Sequence, residues 1–264
     1  MNEGRQKIRR RMRRGVYLLP SSLTLGNLFC GFYALIAIYN DDYRTAAVAI
    51  MLAQVFDTLD GGVARMTGAT SELGIQLDSL ADLVSFGVAP GLMAYVMALK
   101  PFGWIGALAA FAFAACGAFR LARFNVQTHL TDKRYFVGLP IPAAAAVVAT
   151  FVLFMKESSA VVVYGRELLP PEATAAGVLL GMYALGFLMV SRLRYRSLKG
   201  LDVKKRRPAT LLTTLLLVLV VVASHPTFFL FLGFLAYAAS GPIRMIPALR
   251  RRHTEPIEQH APGK

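Results

Sequence analysis

Apolar residues run along this chain in long unbroken blocks separated by short polar or basic stretches, without the strict alternation of a half-buried strand. A helix that crosses the hydrocarbon core of a bilayer needs about 20 mostly apolar residues. Eight segments approach that requirement: residues 16–39, 43–60, 73–99, 102–122, 137–155, 171–190, 208–223 and 227–249. The pattern predicts an all-α fold, a polytopic transmembrane helical bundle of about eight spans. A basic arm (1–15), one membrane-embedded domain (16–249) and a short tail (250–264) make up the whole chain.

Composition agrees, with 56% apolar and 17% charged residues among 264. The charges are unevenly placed, and their placement predicts orientation. If the connections alternate between the two sides, one side carries only Arg44, Lys100, Lys156 and Arg166, and the other carries all the rest of the 29 Lys and Arg. Cytoplasmic loops hold the excess of these residues, so both termini are expected in the cytoplasm, with the chain in the cell (inner) membrane. The net charge of +14 sits mostly at Arg5–Arg14, Arg192–Arg207 and Arg250–Arg252. These clusters flank apolar spans, where they fix topology and rest on anionic headgroups of membrane lipids; no nucleic-acid partner is expected. Cys30 and Cys116 lie inside apolar spans without metal or redox spacing, and the four histidines are scattered, so none is assigned chemistry.

Four carboxylates stand out against this background. Asp57 and Asp60 close the second span, and Asp78 and Asp82 lie early in the third. A carboxylate at the centre of a membrane helix costs about 2.5 to 3.5 kcal/mol, which makes intramembrane acids markers of sites. Spacings of three and four put each pair on one helix face, and the connection 61–72 lies on the cytoplasmic side by the charge count. Four anions gathered there repel one another unless cations join them. Oxygen ligands without nearby Cys or His suit a hard divalent ion, Mg²⁺ or Mn²⁺. Two such ions would neutralise the four charges and form the clamp used for displacement at phosphorus. Gly61 and Gly62 leave room for a bulky ligand against the backbone, and Arg65 is placed to pair with a phosphate or with one of the acids.

The segment Asp57-Thr-Leu-Asp60-Gly61-Gly-Val-Ala64-Arg65, followed by Gly74, Asp78 and Asp82, resembles the signature of the CDP-alcohol phosphotransferase family. The stretches 25–31, 78–90, 119–125 and 138–143 are similar to those of its bacterial membrane-embedded phosphatidylserine synthases. One position departs: Ser21 follows Pro20, where the family carries Asn. The resemblance implies that Asp57, Asp60, Asp78 and Asp82 hold the divalent ions and that Asp82 is also the general base. It implies that Gly61, Ala64, Arg65 and Gly74 shape the pocket for the CDP lipid.

The implied reaction transfers the phosphatidyl group of CDP-diacylglycerol to the hydroxyl of L-serine, releasing CMP. Serine carries a carboxylate and an ammonium group, so its pocket should offer a cation; Arg120 and Arg123 are candidates by position and by resemblance. Glycerol 3-phosphate and inositol phosphate are the rival acceptors. An ion-coupled transporter is the alternative outside enzymes, but no second copy of the aspartate pattern appears in the later spans. Spacings of four between Gly87 and Gly91 and between Gly177 and Gly181 permit close helix approach, and family members resemble homodimers.

Overall fold

The computed structural model describes residues 2–67, 71–127, 135–158, 171–196, 222 and 224–252. It is helical: α1 (Asn2–Tyr39), α2 (Tyr43–Thr67), α3 (Glu72–Phe102), α4 (Trp104–Gln127), α5 (Ile141–Ser158), α6 (Pro171–Val190) and α7 (Pro226–Arg252). Two short strands, β1 (Tyr135–Val137) and β2 (Arg194–Arg196), pair antiparallel with Phe136 opposite Tyr195. Among the described residues, six helices are long and apolar enough to cross a membrane, and Ile141–Met155 in α5 is a shorter apolar helix. The chain is a multi-pass membrane protein. The span expected at 208–223, apart from residue 222, and the tail beyond Arg252 lie outside the described residues.

Among the boundaries that differ from the sequence expectation, two bear on the site. The second span does not stop at Asp60: α2 runs on to Thr67, so Gly61, Ala64 and Arg65 belong to a helix rather than to a connection. Neither Gly61 nor Gly62 is compelled to leave the helix, since one glycine costs about 1 kcal/mol there and no proline follows. The fifth span starts late. Val137 is in β1, Gly138 takes a φ of +80°, and the helix begins only at Ile141. Glycine is required at 138 by conformation and by space, because a Cβ there would stand 2.3 Å from the Met189 carbonyl oxygen. Pro142 then falls in the first turn of α5, where its missing N–H costs nothing.

In lipid the tails are as apolar as leucine, so helices associate through close packing of small residues. Ala34 and Ala37 of α1 and Ala46, Ala49 and Ala53 of α2 are buried where those two helices pack together. Large side chains such as Phe29 and Phe32 point outward. Helix α1 also packs on α3, and the approach is closest at Gly31, where a Cβ would lie 2.7 Å from the Ser85 Cα. Helices α4 and α6 pack together, as do α5 with α2 and with α7, the last pair through Phe151, Phe154, Phe228 and Phe231. Of the two glycine spacings, a Cβ on Gly91 would stand 3.0 Å from the Ala110 carbonyl oxygen of α4, whereas a Cβ on Gly177 or Gly181 would meet no atom of another described element within 4 Å.

Helix α3 carries two π-helical segments, Leu83–Val88 and Tyr95–Leu99. Pro90 has no N–H to give to the turn before it, and the Ala89 N–H reaches back five residues to the Val84 carbonyl. The β-ribbon is locked to α7 by Tyr195, which is fully buried, donates to the Ala238 carbonyl at 3.0 Å and packs on Tyr237 at 5.7 Å. Gly241 makes room for it, since a Cβ there would stand 2.4 Å from the Tyr195 ring.

Gly31→Ala is expected to lower the melting temperature of the purified protein through overpacking of about 1–3 kcal/mol. Gly233→Ala, where an added Cβ meets no described atom within 4 Å, should not lower it; equal effects would contradict the close approach of α1 and α3. Burial, reinforced by Tyr237, pushes the Tyr195 phenol from 10.0 up to about 12. Its contribution to stability is complete below pH 10.0 and lost as the pH rises through about 12. Melting curves of Tyr195→Phe against the parent should therefore converge at the alkaline end of that window.

Candidate active site

The extension of α2 places Asp57, Asp60, Gly61 and Ala64 at positions i, i+3, i+4 and i+7 of one helix, a single stripe. Across from it, α3 opens with Ser71 as its N-cap. The Ser71 hydroxyl accepts from the Gly74 N–H at 3.0 Å, and a Cβ on Gly74 would crowd that oxygen at 3.1 Å. Asp78 and Asp82 follow on successive turns of α3.

Three of the four predicted aspartates converge. Asp57, Asp78 and Asp82 each offer a carboxylate oxygen, all within 4.8 Å of one another. Asp82 is buried, while Asp57 and Asp78 are half-buried. Asp60, also buried, accepts a hydrogen bond from Thr24 of α1. Gly61 is exposed and Ala64 half-buried on the same α2 stripe; the Arg65 side chain lies outside the described residues.

Helix α1 supplies what the aspartate motif alone does not reveal. Asn27, completely buried, donates its Nδ2 to the Asp82 Oδ1 at 2.9 Å, and its backbone carbonyl accepts from the Ser85 hydroxyl at 3.0 Å. Its own Oδ1 is buried without a hydrogen-bond partner among the described residues. A signal for these residues exists in the chain: Thr24, Asn27 and Gly31 recur at spacings of three and four in an otherwise apolar span, which is one helix face. The amide fixes the Asp82 carboxylate as outer hydrogen bonds fix metal ligands generally.

The two predicted arginines part company. Arg120 of α4 is buried, interacts electrostatically with Asp82 and with Tyr237, and has an Nε without a hydrogen-bond partner among the described residues. Arg123 donates to the carbonyls of Val190 at 3.1 Å, Val137 at 3.2 Å and Ser191 at 3.5 Å. Two residues further along, the Asn125 amide donates to the Ser79 hydroxyl of α3 at 2.9 Å.

Residues 17–182 match the family model described as CDP-alcohol phosphatidyltransferase. The chain belongs to that family. Similar proteins include the CDP-diacylglycerol--serine O-phosphatidyltransferase of Helicobacter pylori strain J99, 38% identical over 70% of this chain and 74% of the relative. The protein of the same name from Bacillus subtilis strain 168 is 39% identical over 48% of this chain and 70% of its own length. The archaetidylserine synthase of Methanothermobacter thermautotrophicus is 34% identical over 69% of this chain and 71% of the relative. CDP-alcohol phosphatidyltransferases are in general dependent on divalent metal, and the three converging carboxylates form an all-oxygen donor set suited to a hard divalent cation.

Asp78→Asn should weaken Mn²⁺ binding, followed by electron paramagnetic resonance, by about tenfold or more, and Asn27→Leu by a smaller factor within the roughly 10–100-fold span seen when outer partners of ligands are lost. Binding unchanged in both would mean that the triad does not hold the ion.

Proposed function

We propose that this CDP-alcohol phosphatidyltransferase transfers the phosphatidyl group of CDP-diacylglycerol to the hydroxyl of L-serine, yielding phosphatidylserine and CMP. The observation that carries the reading is the convergence of Asp57, Asp78 and Asp82 where two apolar helices meet. The name carried by the Helicobacter pylori relative, matched over 70% of this chain, and by the Bacillus subtilis relative, matched over 48%, supports serine as the acceptor. Glycerol 3-phosphate and inositol phosphate remain the acceptors against which serine is tested.

In this reading Asp57, Asp60, Asp78 and Asp82 hold two divalent ions, Mg²⁺ or Mn²⁺. Bound there, the ions would polarise the phosphoryl oxygens and stabilise the attacking and leaving oxygens. The stripe of Gly61 and Ala64, with Arg65 beyond it and Gly74 across from it, forms the pocket for the CDP moiety; side chains there are small enough for the nucleotide to approach the backbone. The acyl chains stay in the bilayer, so the lipid substrate never has to enter water.

Asp82 is the general base. Its Oδ1 is held by the Asn27 amide, which leaves the other oxygen to take the proton of the serine hydroxyl as that oxygen attacks the lipid-side phosphorus. Arg120, buried beside Asp82, binds the serine carboxylate close to the reacting centre. With both termini in the cytoplasm, the site opens to the cytoplasmic face of the inner membrane, where water-soluble serine and CMP exchange. The enzyme is proposed to act as a homodimer, with the Gly177 and Gly181 face of α6, where an added Cβ meets no atom within 4 Å among the described residues, available for helix approach.

Purified protein with CDP-diacylglycerol and Mg²⁺ or Mn²⁺ should release CMP when serine is supplied and not with glycerol 3-phosphate or inositol phosphate. Asp82→Asn should lower kcat by about 10²-fold or more, as for loss of a positioned base. Release with another alcohol would keep the chemistry and overturn the acceptor, and serine-dependent release that survives the substitution would remove Asp82 from the role.

A further inference from the structure

Arg120 and Arg123 lie three residues apart on α4, on neighbouring positions of one helix side. Their surroundings differ in kind. Two of the carbonyls held by Arg123, those of Val190 and Ser191, come from the end of α6, where a helix leaves its last carbonyls unsatisfied and favours a cation. The third, from Val137, belongs to β1 immediately before the left-handed Gly138. Backbone bonds from Gly138 to Leu193 at 2.8 Å and from Leu139 to Leu188 at 3.0 Å close the same knot. Space there is tight enough that a Cβ on Gly138 would stand 3.2 Å from the Arg123 guanidinium.

We infer that Arg123 is a positioning residue for the acceptor pocket: by gripping the end of α6 and the β-ribbon it fixes the last turns of α4, and so the direction in which Arg120 faces Asp82. The inference rests on the reading of Arg120 as the acceptor-binding cation. It gives Arg123 a different task from the direct serine contact expected from its place in the sequence. On the opposite side Asn125 ties the same turn of α4 to Ser79, so Arg120 precedes a segment held from two directions. The carbonyls of Val190 and Ser191 lie beyond residue 182, where the match to the family model ends. The aim of Arg120 is thus set in part by a segment outside that shared core, alongside the Val137 and Ser79 contacts within it.

A cycle of variants in serine kinetics at saturating CDP-diacylglycerol tests this. Arg123→Met should raise the KM for serine by about tenfold while the KM for CDP-diacylglycerol stays within about twofold, and Arg123→Lys, which can still donate to carbonyls, should recover most of the loss. On an Arg120→Lys background, Arg123→Met should add less than about twofold, because a residue acting through Arg120 has little left to act on. Effects that multiply would show that Arg123 meets serine on its own and would overturn the inference, as would a CDP-diacylglycerol KM that rises in step with that for serine. Should Arg123→Met fail to fold, the same cycle is run with Arg123→Gln, whose single amide can replace only part of the three carbonyl contacts and so should raise the KM for serine by a smaller but measurable factor, multiplying or not with that of Arg120→Lys. A parent protein that uses another acceptor in place of serine would refute the proposed reaction instead, and the same cycle, run on the KM for that acceptor, would still report whether the two arginines act as one unit.

Discussion

Negative charge held inside an apolar bundle is the constraint around which this molecule is arranged. Asp57, Asp78 and Asp82 are brought within 4.8 Å of one another by two helices that would otherwise gain from keeping their acids apart. What holds the arrangement is the third helix behind them. Asn27 fixes one oxygen of Asp82, Thr24 bonds to Asp60, and Gly31 lets α1 come close enough to α3 for those bonds to form. Small residues along α1 and α2 serve the same end, because only closely packed helices can keep polar groups within hydrogen-bond reach.

The site therefore has two sides with different construction. The side proposed for the activated lipid is made of helix stripes: Asp57, Asp60, Gly61 and Ala64 on α2, Gly74 and Asp78 on α3. The side around Arg120 is made of irregular backbone, with a glycine in the left-handed region, a short ribbon and the end of α6 meeting at Arg123. Irregular backbone inside a membrane protein requires partners for its polar groups, and here the arginine supplies three of those partnerships at once.

Much of this is legible in the amino-acid sequence. Apolar block length announces the helices, and the spacing of Asp57, Asp60, Asp78 and Asp82 announces facing stripes, because helical periodicity is a local property. What the sequence leaves open is non-local. Nothing near Asp60 says whether α2 continues through two glycines, since the outcome depends on what the extra turns pack against. Thr24 and Asn27 read as tolerated polar residues in a span until Asp60 and Asp82 are seen beside them. Arg123 can be placed at the right end of the right helix, but which of its possible partners it meets is decided by residues up to 68 positions away.

The π-helical turn Leu83–Val88 carries a further meaning. An α-helix advances about 100° per residue, so the faces presented by its two ends are tied together in phase. Helix α3 must show Asp78 and Asp82 to α2 at one end and Gly91 to α4 at the other, and a widened turn between them lets each end keep its own phase. Sequence drift within that turn is tolerable as long as side chains fit. A single inserted or deleted residue is not, because it would swing the carboxylates about a quarter of a turn away from their partners while leaving every residue of the motif in place.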